Sequence, residues 1–511
     1  MTLARFQYLL LLCGAAVATA TSAAAPANAT LIVSNAATKN VACSAGVCEA
    51  TAKNAVLNAS DLAAMLAASN IKVRSTVKAK DIELRVALSW ASASRLTLDA
   101  YQSITFDKPL TVAGPGALTL TVNDGGTGGE LSFETPGRAI FWDLSSNLVI
   151  DGAGYTLAGD VATLASDIAA DPSGHYALGN NYDASVDGTY ASSPIATTFT
   201  GTLQGLGNAI SNLTIDDTIE NDNVGFISTL GAGGAVSSIG LKKVSVIGAQ
   251  ASYIGGLVGY SEGLVGGSTV QGSVSMAMGS PEGGGTVGGL VGVALGGSIV
   301  DSTANVNVLG RNAADDAGGL VGGAGAVSIA GSQAHGAVSA ANHAVVGGLI
   351  GSFGDSNHLG IVSGSFSTGS ATVEHGNSVV GGFIGANGGT ILNCYSTGNA
   401  SAGKSSFVGG FVGNNFSSIG SSYSTGSPSA PRGGRLGGFL GNNFTTVSDD
   451  YWDTTTSGTD VGVGGGDGSG VAGLTTQQLQ SGLPVGFDPA VWGEDPAING
   501  GLPYLLSNSP E

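Results

Sequence analysis

Ile254-Gly-Gly-Leu-Val-Gly259 returns six more times with small changes: Val287-Gly-Gly-Leu-Val-Gly292, Ala317-Gly-Gly-Leu-Val-Gly322, Val346-Gly-Gly-Leu-Ile-Gly351, Val380-Gly-Gly-Phe-Ile-Gly385, Val408-Gly-Gly-Phe-Val-Gly413 and Leu436-Gly-Gly-Phe-Leu-Gly441. Successive glycine pairs start 33, 30, 29, 34, 28 and 28 residues apart. A period of that size marks one supersecondary unit stacked on copies of itself. The fold class expected is therefore all-β, a β-helix-like repeat solenoid with small N- and C-terminal caps.

Each unit holds the glycine phrase, a turn and two further segments of strand type, such as Ser298–Thr303 and Ala304–Val308. Three short strands in about 30 residues make one coil. A weaker copy at Val224–Ile227 opens the array, which spans 221–455. Eight coils at about 4.8 Å each give a rod of roughly 40 Å. The longer spacings place insertions at Met276–Gly285 and Gly354–Gly360, and loops that bulge from a regular stack are contact sites.

Glycine allows both a positive φ and close backbone approach, so the pair reads as a stacked corner or a tightly packed strand. In a straight strand, Ile254 and Val258 face one side and Leu257 the other. Three arrangements follow. The strand is covered on both faces, the glycines bend it so that both sets point inward, or one apolar stripe is left outside for binding. That stripe comprises Leu257, Leu290, Leu320, Leu349, Phe383, Phe411 and Phe439.

Residues 1–29 read as a secretory signal, with Arg5 ahead of the apolar run Tyr8–Val17 and Ala27-Asn-Ala29 at the cleavage site. The apolar run is too short to span a bilayer, and no stretch of about 20 apolar residues follows it. Leu12 stands where a lipidated Cys13 needs a small residue. The mature chain is expected to be secreted or on the cell surface. Cys43 and Cys48 fit a local disulfide suited to that compartment, and Cys394 reads as a small core hydrophobe.

The formal charge is -19, and loss of Arg5 makes it -20, with only 10% charged residues. Nucleic acid is excluded as a partner. The 42% hydrophobic content in ordered patterns excludes a disordered acidic chain.

Residues 30–91 form the N-terminal cap, with a helix over Asp61–Ala68 capped by Ser60 and a strand at Ile82–Leu88. Residues 92–220 are β-helical coils. Period-two pairs at Leu96/Leu98, Ile104/Phe106, Leu110/Val112, Leu118/Leu120 and Leu131/Phe133 supply its strands, and a short helix occupies Thr163–Ala170. Residues 456–473 read as a glycine-rich linker, and 474–511 as a C-terminal cap anchored by Val491-Trp-Gly493 and Leu502-Pro-Tyr-Leu-Leu506.

The glycine phrases, their partners Asn393-Cys-Tyr-Ser-Thr-Gly398 and Ser422-Tyr-Ser-Thr-Gly426, Tyr451-Trp-Asp453 and the Trp-Gly…Leu-Pro-Tyr ending together resemble the GLUG-motif proteins. These are exported bacterial surface and secreted proteins related in style to filamentous-haemagglutinin adhesins. The resemblance covers roughly Arg95–Leu506 and implies a β-helical fold and adhesion or surface binding, with carbohydrate, matrix or another cell surface as partner. Immunoglobulin-cleaving metallopeptidases in the family carry such segments, but this chain has no His-Glu-x-x-His. It also shows neither a two-partner secretion domain nor autotransporter barrel strands.

The competing reading is a polysaccharide-active β-helix enzyme, a lyase or glycoside hydrolase, which needs clustered carboxylates with a basic or histidine partner. The array offers two Asp-Asp pairs, Asp315-Asp316 and Asp449-Asp450, and Arg311 near the first is the constellation to examine. His175, His335, His343, His358 and His375 fall in no catalytic pattern. Gly464–Gly470 is one imperfect match to calcium-binding nonapeptides. No catalytic residue, metal ligand or cofactor site is assigned from the sequence.

Overall fold

A computed structural model describes residues 30–277, 284–311, 315–354, 359–431 and 433–510. The signal segment, His358 and the centres of both expected insertions lie outside the described residues. The chain is nearly all β, only 6% helical, and winds into a parallel-strand solenoid of about 14 turns.

Each coil of the repeat array has four faces where three strands were expected. In one coil these are Tyr253–Gly255, Val258–Ser261, Leu264–Gly266 and Thr269–Met276. Corresponding strands pair in parallel from coil to coil, Gly255 with Gly288 and Val258 with Val291. The first and second faces are eight-stranded sheets beginning at the weak copy, Asn223–Val224 and Ile227–Leu230.

The glycine phrase is the corner between the first two faces, and it bends so that both apolar sets point inward. Ile254, Leu257 and Val258 are all fully buried. The cause is close approach, and none of the paired glycines has a positive φ. A Cβ on Gly255 would stand 2.1 Å from the Val258 carbonyl oxygen and 2.6 Å from the amide nitrogen of Gly292. One on Gly256 would stand 2.5 Å from the oxygen of Gly289 in the next coil.

The partner phrase locks onto this corner. Ser367, Ser396 and Ser424 point inward from the fourth face and donate to the carbonyls of Gly382, Gly410 and Gly438 at 2.6, 2.7 and 2.7 Å. Trp452 stands against Gly438 and Gly462 in the last coil and fills the end of the core.

A left-handed residue turns the corner between the third and fourth faces in coil after coil, for example Asp301, Asn393 and Asp449 at φ 48, 53 and 57°. Asn and Asp tolerate this region through local hydrogen bonding. The next residue is a buried serine whose hydroxyl accepts from the preceding coil, as Ser302 N–H donates to Ser332 Oγ at 3.2 Å. Cys394 takes one rung of this ladder, where its N–H donates to Ser422 Oγ at 3.1 Å. It is buried, as its sequence context predicts.

Residues 30–157 form a separate first core of three-faced coils. Ile82 pairs with Ile104, Leu88 with Leu110 and Leu96 with Leu118, each 22 residues apart. The expected single strand at Ile82–Leu88 is broken by a corner, giving Asp81–Leu84 and Leu88–Trp90. Helix α1 (Ala59–Leu66) packs Leu62 and Leu66 into this core. Its cap is Asn58, whose side chain accepts from Ser60 and Asp61 N–H, so Ser60 lies inside the helix. Cys43 and Cys48 sit opposite each other in an antiparallel hairpin and are disulfide-bonded.

The two cores share one sheet. In His175–Leu178, Ala177 joins the first core while Tyr176 and Leu178 join the second. An apolar run buried on both faces is what a strand between two cores requires. Helix α2 (Val161–Ala170), capped by Asp160, sends Val161, Leu164 and Ile168 into the second core.

Two terminal expectations are corrected. Residues 456–473 are a further coil on the stack, since Val463 and Gly466 bridge to Leu440 and Asn443 and Val471–Leu474 pairs in parallel with Asp450–Asp453. Gly464, Gly466 and Gly470 serve close backbone approach, as at Gly466, where a Cβ would meet the Asn443 oxygen at 1.8 Å. Residues 474–510 strap the side of the rod, and Trp452 is what closes its end. Phe487, Trp492 and Leu505 cover an outward aromatic ladder of Phe366, Tyr395, Tyr423 and Tyr451. Its first three rings stack at 4.7 and 5.2 Å.

Candidate functional site

The corner between the second and third faces carries the most distinctive surface feature. Gly413-Asn-Asn-Phe416 and Gly441-Asn-Asn-Phe444 occupy it in consecutive coils. Asn415 and Asn443 turn inward, above Asn387 of the previous coil, and all three are essentially inaccessible. Asn387 Nδ2 donates to Asn415 Oδ1 at 2.7 Å, and Asn415 Nδ2 donates to Asn443 Oδ1 at 2.9 Å. Asn443 Nδ2 ends the chain by donating to the carbonyls of Thr445 and Asp467. A satisfied buried polar row of this kind holds one register, because a slip strands its donors and acceptors.

The residue after each of these asparagines points out. Phe416 and Phe444 are 56% and 63% exposed, yet their rings stack at 4.8 Å with planes within 5°. The Phe416 amide donates to the Asn387 carbonyl at 2.8 Å and the Phe444 amide to that of Asn415 at 3.0 Å. Beside the rings on the third face lie Thr390 and Ser418, whose hydroxyls meet at 3.2 Å. The Asn-Asn-Phe pair is legible in the sequence only as a 28-residue repetition beside the stronger glycine phrase, with nothing to mark its phenylalanines as exposed.

Other residues singled out from the sequence behave as structure. All seven members of the Leu/Phe stripe, Leu257, Leu290, Leu320, Leu349, Phe383, Phe411 and Phe439, are fully buried, which removes the option of an exposed binding stripe. Phe383, Phe411 and Phe439 form an internal stack at 4.7 Å spacing.

Neither Asp-Asp pair converges. Asp315 is buried and accepts from the Gly285 amide at 2.9 Å, while Asp316, half-buried, opens the next first-face strand. Asp450 is buried at the end of the serine ladder, accepting from Ser422 N–H at 3.0 Å, while Asp449 is exposed at the left-handed corner. Burial holds the Asp450 carboxyl well above the usual carboxylate range. Burial also pushes the Cys394 thiol up to about 12, the opposite of what a nucleophile needs. His335 bonds Thr368 and Gln333 and lies edge-on to Phe366. Asp467, in the nonapeptide-like stretch, bonds Ser469 instead of collecting carboxylate neighbours. Among the described residues, no group of three or more His, Cys, Asp or Glu is placed to hold a metal ion.

Asp316 makes a titration visible in stability. Burial pushes its carboxyl up to about 6, against a hydrogen bond with Ser352 that pulls the other way. The folded state then binds more protons than the unfolded state between the ordinary value of 3.8 and about 6, so stability falls as pH rises through that window. Asp316→Asn is expected to flatten this slope. In urea melts its midpoint should gain on the parent between pH 4 and about 6 and hold a constant lead above. Asp301, also pushed up to about 6 by burial, leaves part of the slope in place.

No helix among the described residues is long and apolar enough to cross a membrane. No family model and no curated protein matches this chain. Among solved structures it is similar to one described as "a putative immunoglobulin A1 protease from Bacteroides ovatus", with 18% identity and a TM-score of 0.40, covering 70% of this chain and 93% of that one. A second, described as "IgA1 Protease", has 22% identity and a TM-score of 0.37, over 50% of this chain and 20% of that one.

Proposed function

We propose that the chain is an exported, adhesin-like surface-binding protein of the GLUG-motif kind, without enzymatic activity. The observation that carries this reading is the exposed, stacked Phe416–Phe444 pair. Large apolar rings held rigidly in water cost free energy unless a partner covers them, and such patches mark interaction sites. The unlike environments of the two members of each Asp-Asp pair, one buried and the other not, support binding over hydrolysis or elimination. The buried ladders and disulfide suit a rod that works outside the cell.

Fractionating cells that express the full chain, and applying the purified protein to glycan and matrix arrays, tests the reading. Retention at the surface or in the medium, together with saturable array binding, is the expected result. Cytoplasmic retention, or no binding to any arrayed surface, would overturn it. Release of new reducing ends or unsaturated products from arrayed polysaccharides would instead establish the enzyme.

A further inference from the structure

Down the corner that carries Phe416, the outward rung is Leu295, then Gly325, Gly354 and Gly388, then Phe416 and Phe444, each amide bonded to the previous coil. The two phenylalanines stack along the rod at the coil spacing, so each offers one ring face to the other. The second face of Phe416 looks toward the rung of Gly388, which has no side chain to continue the stack. The aromatic stack therefore ends at Phe416, and the Gly388 rung lies close against the coil before it, where a Cβ would stand 2.8 Å from the Gly354 carbonyl oxygen.

Resting on the surface-binding reading, we propose that a neutral hexopyranose ring of a glycan occupies this rung, stacked on Phe416 over Gly388. A pyranose is flat, about as wide as a phenyl ring, and presents a C–H face that packs on an aromatic face, with hydroxyls around its rim. The surface matches both parts. Phe416 supplies the face, and Thr390 with exposed Ser418 supplies hydroxyls that donate and accept at its edge. The asparagine ladder below fixes Phe416 in advance, so little ordering is left to occur on binding.

Charge selects among glycans. From Lys404 to Glu511 the sequence has Lys404, Arg432 and Arg435 as its basic residues against nine Asp and Glu, of which Asp450 and Asp453 are buried. Arg435 is held by Asn442 and lies over the Phe407 ring, 5.6 Å from its centroid. Asp467 is exposed one coil beyond Phe444. Such a surface repels uronate or sulfated chains and accepts uncharged ones.

Calorimetric titration of the full mature chain with cellohexaose, maltohexaose, chitohexaose and hexagalacturonate tests the site. At least one neutral hexamer should bind, and hexagalacturonate should bind at least tenfold more weakly. Phe416→Ala and Phe416→Leu should each weaken the neutral hexamer at least tenfold, whereas Phe416→Trp should keep or improve its affinity. Because Phe416 is exposed, the unfolding midpoint of all three should stay near that of the parent. Parent-like affinity in Phe416→Leu would reduce the contact to generic apolar burial and overturn the stacking site. So would failure of the parent to bind every neutral hexamer, or a concentration-dependent dimer that Phe416→Ala dissolves. Array binding that survives Phe416→Ala would leave the adhesin reading standing and remove this site alone.

Discussion

Gly318→Ala is expected to destabilise the protein by about 3 kcal/mol, the upper range for forcing atoms into a packed core. The added Cβ would lie 1.9 Å from the Val321 carbonyl oxygen and 2.7 Å from the amide nitrogen of Gly351. Both are backbone atoms within stacked, hydrogen-bonded coils, so neither can yield without breaking the register of two neighbours. Gly323→Ala is the control, because its Cβ would meet only side-chain methyls of Thr286 and Val293, at 3.3 and 3.7 Å. It should shift stability by less than about 1 kcal/mol. Urea unfolding followed by far-ultraviolet circular dichroism distinguishes them, and equal midpoints for the two variants would show that the close approach has no energetic consequence.

Trp492→Ala is expected to detach the C-terminal strap without unwinding the rod. Trp492 is 1% exposed, stacks on Phe487 at 4.5 Å and lies beside Tyr395 and Tyr423. Its indole N–H donates to Asn393 Oδ1 at 3.2 Å. Loss of a buried Trp costs about 3–5 kcal/mol, and Trp492 is the largest of the strap's anchors, which also include Phe487, Leu505, the Tyr451 hydroxyl donating to Val485 O at 2.8 Å, the Tyr423 hydroxyl donating to Pro503 O at 2.7 Å and the Asn508 amide donating to Gly364 O at 3.0 Å. Limited proteolysis should cut within 474–510 far faster than in the parent, while the remaining fragment keeps its strand spectrum. Uniform resistance would show that the strap is held by its other contacts, and global digestion that it is integral to the stack.

The repeat announced a stacked β architecture because its apolar and glycine positions recur in register, and stacking makes register and sequence period the same quantity. Leu96/Leu98 and Leu118/Leu120 were likewise readable as strands, since one buried face imposes period two. The four-faced coil was not readable. The corner at Gly255–Leu257 bends through contacts with the next coil, and a single unit carries no mark of that approach. Nor could the strap be told from an end cap, because Val491-Trp-Gly493 shows that a surface will be covered without showing which one. The glycine-rich 456–473 looked like a linker because composition alone does not separate flexible glycine from packed glycine. The stripe's inward direction was left open by alternation, and the candidate site lay one residue beyond the asparagine that holds it in place.

The last intervals, Gly381 to Gly409 and Gly409 to Gly437, are both 28 residues, and the asparagine, serine and aromatic ladders all step by the same amount. Removing or duplicating one such segment would rejoin every ladder in phase and leave both ends of the rod unaltered. The gene can therefore lengthen or shorten the coil stack in increments of roughly 4.8 Å, each step shifting the contacts of the C-terminal strap by one rung. Rod length is thereby a heritable quantity, adjustable by recombination within the repeats.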